Sequence, residues 1–77
     1  MAKVVVYTAQ WCSWCHKLID FLNENKVEYE AKDVDNPDNA RAAMEVSGQG
    51  GIPITVVDGT VVIGFDVEKL KQLLNLA

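Results

Sequence analysis

The chain has few of the residues that staple or decorate small secreted domains. Two cysteines in 77 residues are too few for a disulfide-rich scaffold. Two prolines and five glycines leave no room for a low-complexity or collagen-like tract. Cations are scarce: seven Lys and Arg stand against eleven Asp and Glu, a net charge of −4. That balance argues against a nucleic-acid footprint and against a polybasic membrane anchor. No stretch approaches the roughly 20 apolar residues of a membrane span. The first apolar run, Val4-Val5-Val6-Tyr7, is also too short for the apolar region of an export signal. The expected compartment is therefore a reducing cytoplasm, where a disulfide serving only structure is unusual.

What is present is an ordinary globular mixture, 49% hydrophobic and 23% charged. The length predicts a single domain, 1–77, at the edge of what one core can stabilise. Element types alternate along it. Lys3 to Tyr7 is β-branched and reads as a strand buried on both faces. From Ser13 to Asn25, Cys15, Leu18, Ile19 and Leu22 recur at helical steps. Val27 to Val34 alternates apolar and polar and predicts a second, half-exposed strand. Asn36-Pro37-Asp38 starts a helix that stops at Ser47-Gly48. Ile54–Val57 and Thr60–Ile63, joined by Asp58-Gly59, predict an antiparallel hairpin. Asp66 caps a last helix with Val67, Leu70, Leu73 and Leu74 on one face. The order βαβαββα implies a four-stranded mixed α/β sheet flanked by helices, with the first two strands parallel.

The chemistry is concentrated in Trp11-Cys12-Ser13-Trp14-Cys15-His16. Cys12 falls at the first helix N-terminus and Cys15 lies one turn in, so both sulfurs share a face and can close a disulfide. So short a ring adds little stability through the unfolded state, which favours reversible chemistry over structure. Unpaired N–H groups and the helix dipole favour an anionic, nucleophilic sulfur at Cys12. Cys15 is the expected resolving thiol: Cys12 attacks a target disulfide, and Cys15 then releases the mixed disulfide. Two cysteines could instead be buried hydrophobes. Zinc as a rule needs four ligands, and Cys12, Cys15 and His16 supply three, with positions 15 and 16 pointing apart. His16 is expected to face solvent without an essential role. Trp11 and Trp14 read either as core or as an apolar docking rim. Ile52-Pro53-Ile54 opens an apolar strand with a residue that cannot donate to a ladder.

Together these pieces resemble the glutaredoxin branch of the thioredoxin superfamily. The likeness spans nearly the whole chain: the element order, Cys12-Ser13-Trp14-Cys15 after the first strand, Ile52-Pro53 opening the third and Gly64-Phe65-Asp66 after the fourth. It implies a thiol–disulfide oxidoreductase in electron transport and redox homeostasis, acting on protein disulfides or glutathionylated proteins. It also implies that Pro53 is cis and that the backbone of Ile52 pairs with substrate. Trp11, Trp14, Ile52, Pro53, Phe65 and Asp66 then line the substrate or glutathione site. A monomer with no tightly bound cofactor and no metal is expected, with glutathione as a reductant.

Departures from the family pattern qualify the glutathione site. Ala9 stands where a lysine usually receives a glutathione carboxylate, and the neutral Gln49 stands in the region of a second basic residue. Ile63-Gly64 reduces the usual Gly-Gly, and Val67 replaces a second acid. Each lost charge-assisted bond is worth roughly 1.5–3 kcal/mol, so weak glutathione affinity is expected unless Lys3, Lys17 or Arg41 reaches the site. Gly64-Phe65 also resembles redoxins that serve ribonucleotide reductase and take electrons from thioredoxin reductase, and the chain is similar to small glutaredoxin-like proteins of bacteria and archaea. Ser13 in place of the usual proline resembles glutaredoxins that hold a [2Fe-2S] cluster between subunits through Cys12 and glutathione. A third reading is a redox domain that recruits partners through Trp11 and Trp14.

Overall fold

A β-branched run makes a strand wherever both of its faces find apolar cover, and the segment after Lys3 meets that condition. In the computed structural model, which describes residues 3–76, the elements are β1 (Val4–Thr8), α1 (Ser13–Glu24), β2 (Glu30–Asp33), α2 (Pro37–Ser47), β3 (Ile54–Val57), β4 (Thr60–Ile63) and α3 (Val67–Leu74). The sheet order is β2-β1-β3-β4, with β1 and β2 parallel and the other pairs antiparallel. This is the mixed α/β architecture, βαβαββα, that the sequence predicts.

The sheet carries a core on each face. On one side Val4, Val6, Val57 and Val62 pack with Leu18 and Leu22 of α1 and Leu70 of α3. On the other, Tyr7 and Ile54 pack with Ala43 of α2. Helices α1 and α3 therefore cover one face and α2 the other. The β3–β4 turn has positive φ at both central residues, Asp58 (48°) and Gly59 (89°), matching the right-handed twist of the hairpin. Asp58 also ties in the start of β1: its carboxylate accepts from the Lys3 backbone N–H at 2.8 Å, and its own N–H donates to the Lys3 carbonyl at 2.9 Å.

Two boundaries depart from the sequence reading. Strand β1 extends to Thr8, whose carbonyl accepts the Val34 N–H at 2.9 Å. Strand β2 is shorter than the predicted 27–34, pairing with β1 only from Glu30 to Asp33. The reason lies at the end of α1. Lys26 turns left-handed (φ 57°) and donates to the Asn23 carbonyl, while Val27 donates back to the Leu22 carbonyl at 2.9 Å. That pair of bonds is a Schellman closure. It uses the Val27 N–H, so the ladder cannot begin there; Val27 and Tyr29 still pack against the core.

Candidate active site

The cysteines sit where β1 hands over to α1. After Thr8 the chain turns through Ala9, whose carbonyl accepts the Cys12 N–H at 3.2 Å. Cys12 is the N-cap of α1, in extended conformation, and its Sγ accepts the Cys15 backbone N–H at 3.2 Å. A sulfur here does what a serine or aspartate oxygen does at other helix starts. A hydrogen bond from N–H to sulfur strengthens when the sulfur carries charge. Both cysteines are free thiols. Cys15 is fully enclosed, whereas Cys12 keeps 8% of its surface open. Burial, followed by the contact with Cys12, pushes the Cys15 thiol above its ordinary value; bonds from Thr8 and the Ala9 backbone oppose the shift without cancelling it.

An open groove of about 330 Å³ is lined by Trp14, Ile52, Pro53, Gly64 and Phe65, and its Ile52 packs against Cys12 and Cys15. The Ile52–Pro53 peptide is cis, as the resemblance implies. Pro53 is buried, and its carbonyl accepts the Gly64 N–H at 2.9 Å, so the start of β3 and the end of β4 are tied side by side. Gly64 holds φ 77°, a left-handed turn that carries the chain from β4 to Phe65. The aromatic wall is continuous. Trp14 packs on Phe65 with centroids 6.4 Å apart, and Phe65 meets Phe21 edge-on at 6.0 Å. Lys17 Nζ lies 4.4 Å from the Trp14 ring centroid, a cation–π contact. Of the cations considered from sequence, Lys17 is thus beside the groove, while Lys3 is tied to Asp58 at the opposite end of β1.

The structure divides the other predicted site residues. Trp11, 69% exposed, does not share the groove with Trp14; it walls a second hollow together with Val34, Met44 and Ile52. Asp66 caps α3, one carboxylate oxygen accepting the Lys69 N–H at 3.2 Å, and lies outside the residues lining the groove. Ala9 is buried against Cys12 and Cys15. Gln49 folds onto its own loop, accepting the Gly51 N–H at 2.9 Å and donating to the Gly51 carbonyl at 3.0 Å.

His16 is exposed as expected, but its Nε2 sits 2.7 Å from the Gln10 carbonyl, tying α1 to the loop that precedes Cys12. It does not join the cysteines, and no group of three or more metal-ligating side chains occurs among the described residues. One contact had no sequence signal: the Trp11 indole N–H donates to Asp35 Oδ1 at 3.1 Å. Asp35 lies in the β2–α2 loop, 24 residues away. The parallel β1–β2 pairing brings that loop beside the cysteine turn.

The glutaredoxin family model matches residues 4–62. The chain is 37% identical, over all of both chains, to a variant of the thioredoxin-like protein BC3987, with a TM-score of 0.92. It is 28% identical to the glutaredoxin of Archaeoglobus fulgidus, covering 96% of this chain and 87% of that one, with a TM-score of 0.82. An uncharacterized glutaredoxin-like 8.6 kDa protein in the rubredoxin operon of Clostridium pasteurianum is 25% identical, covering 94% of this chain and 97% of its own length. The chain has a thioredoxin-like fold and belongs to the glutaredoxin family.

Proposed function

We propose that the protein is a thiol–disulfide oxidoreductase working through a reversible Cys12–Cys15 dithiol. The observation that carries this reading is the asymmetry of the two sulfurs. Cys12 caps a helix, packed against Ile52 of the groove, with its Sγ bonded to the Cys15 N–H and 8% of its surface open, while Cys15 is fully enclosed. Cys12 is the nucleophile. Its sulfur attacks one sulfur of a target disulfide, the other leaves as a thiolate, and a mixed disulfide remains on Cys12. Cys15, deprotonating as it attacks, forms the Cys12–Cys15 bond and releases the second target thiol. Two electrons pass from the dithiol to the target. Ile52 and Pro53 form the floor on which the target lies, and Trp14 and Phe65 form its apolar wall.

Protein disulfides and glutathionylated thiols are the proposed targets. Electrons come from glutathione or from thioredoxin reductase. NADPH consumption with a small disulfide separates these donors. One reaction contains glutathione and glutathione reductase, the other thioredoxin reductase alone. Turnover in either, abolished by Cys12→Ser, is expected. Full disulfide reductase activity in Cys12→Ser would overturn the mechanism. No observation in the structure favours the cluster-carrier reading over this one.

A further inference from the structure

The second hollow, on the α2 side of the cysteine pair, measures about 180 Å³; its apolar lining is Trp11, Val34, Ala40, Ala43, Met44 and Ile52, completed by Gln49 and Gly50. Ile52 also lines the groove at Trp14 and Phe65, so the two concavities share one wall residue, which packs against the cysteine pair. Met44 stands 57% exposed at its rim, an apolar side chain left without cover. The hollow's outer wall is built rather than incidental. Trp11 is held by Asp35, and Asp35 is itself fixed by its backbone N–H donating to Asp33 Oδ1 at 2.8 Å. Asn39 closes the same loop by donating to the Asp33 carbonyl at 2.9 Å.

Resting on the dithiol reading above, we propose that this hollow receives an aliphatic side chain adjacent to the target cysteine. The preferred substrates are then disulfides within peptide segments rather than small hydrophilic disulfides. Three observations carry the proposal. The hollow shares Ile52 with the groove, and its Val34 and Ile52 pack against Cys12 and Cys15, so it lies within one residue's reach of a cysteine held over Cys12. Its size suits one branched side chain, since a cavity of roughly 150 Å³ accepts a benzene ring. Its chemistry offers an anionic end no partner: no cation is among its described lining residues, its one amide side chain, Gln49, is engaged with Gly51, and the Asp35 carboxylate stands at the Trp11 wall.

The chemical step is the exchange already described, with the electrons supplied by the reduced Cys12–Cys15 pair. The test uses symmetric disulfides of short cysteine peptides, so that attack on either sulfur is equivalent. Leu, Gly or Glu is placed in turn on each side of the cysteine. Reduced protein is mixed with each, and the released thiol gives the second-order rate constant. At one flanking position Leu is expected to react about tenfold faster than Gly, the discrimination typical of an apolar pocket, and Glu slower than Gly. Met44→Gln and Ala40→Gln, both at exposed positions of α2, are each expected to move the Leu-to-Gly ratio toward unity. Equal rates for Leu and Gly at both positions would overturn the proposal. So would a Leu preference unchanged in both variants, because it would arise elsewhere. Failure to reduce any peptide disulfide would instead overturn the dithiol reading, and this inference with it.

Discussion

The same helical spacing that brings Cys12 and Cys15 together leaves one sulfur partly open and encloses the other. Cys12 is the sulfur a reagent can reach and Cys15 the one it cannot. Iodoacetamide is therefore expected to modify Cys12 of the reduced protein well before Cys15, read by peptide mass. Burial also couples Cys15 to stability. Its folded pKa is raised above the ordinary 9.0, so above that pH the unfolded chain sheds this proton while the folded chain keeps it. The stability of the reduced protein is expected to fall as pH rises through that window, in urea melts, and to fall less steeply in Cys15→Ala. A parallel fall in both proteins would remove Cys15 as the cause. Thr55 provides the converse case. It is fully buried, opposite Val6 and Val62, and its hydroxyl has no partner. Thr55→Val is expected to raise stability by about 1 kcal/mol, because an unsatisfied buried hydroxyl is removed at constant shape.

At the scale of elements, caps and turns were legible where the residue type matches the conformation. Asn36 opens the helix that Asn36-Pro37-Asp38 predicts: it is the N-cap of α2, and its side chain accepts the Asp38 N–H at 2.9 Å. Asn36→Ala should cost about 1 kcal/mol by thermal melt. Asp58-Gly59 gave the hairpin, and Asp66 gave the start of α3. The end of α1 was not legible in the same way, because its left-handed residue is Lys26 where a glycine is usual. Alternation at Val27, Tyr29 and Ala31 therefore suggested a strand three residues too early. Lys26→Gly is expected to raise stability by about 1 kcal/mol by relieving the left-handed Cβ. A loss instead would mean that the Lys26 side chain supplies more than the turn costs.

Over the whole molecule, the element order, the parallel first pair and the terminal hairpin follow from patterns within single elements, so sequence alone reached them; the strand order β2-β1-β3-β4 and the split of helices between the faces depend on pairings between distant elements and were not legible. The candidate site was legible only where its residues are consecutive or carry special backbone chemistry: the cysteine pair, Ile52-Pro53 and Gly64-Phe65. The second hollow was not, because the loops after β1 and β2, helix α2 and the loop before β3 supply its walls from 11 to 52 in the chain. For the same reason Trp11 and Trp14, neighbours in sequence, end in separate concavities. Among the described residues no helix is long and apolar enough to cross a membrane. Trapping separates the roles of the two sulfurs in a single experiment. Reduced Cys15→Ser protein is incubated with a protein disulfide, and the adduct is mapped by mass spectrometry. A stable mixed disulfide on Cys12 that added wild-type protein can resolve is expected. Absence of an adduct, or an adduct of equal yield in a Cys12→Ser protein that retains Cys15, would contradict it.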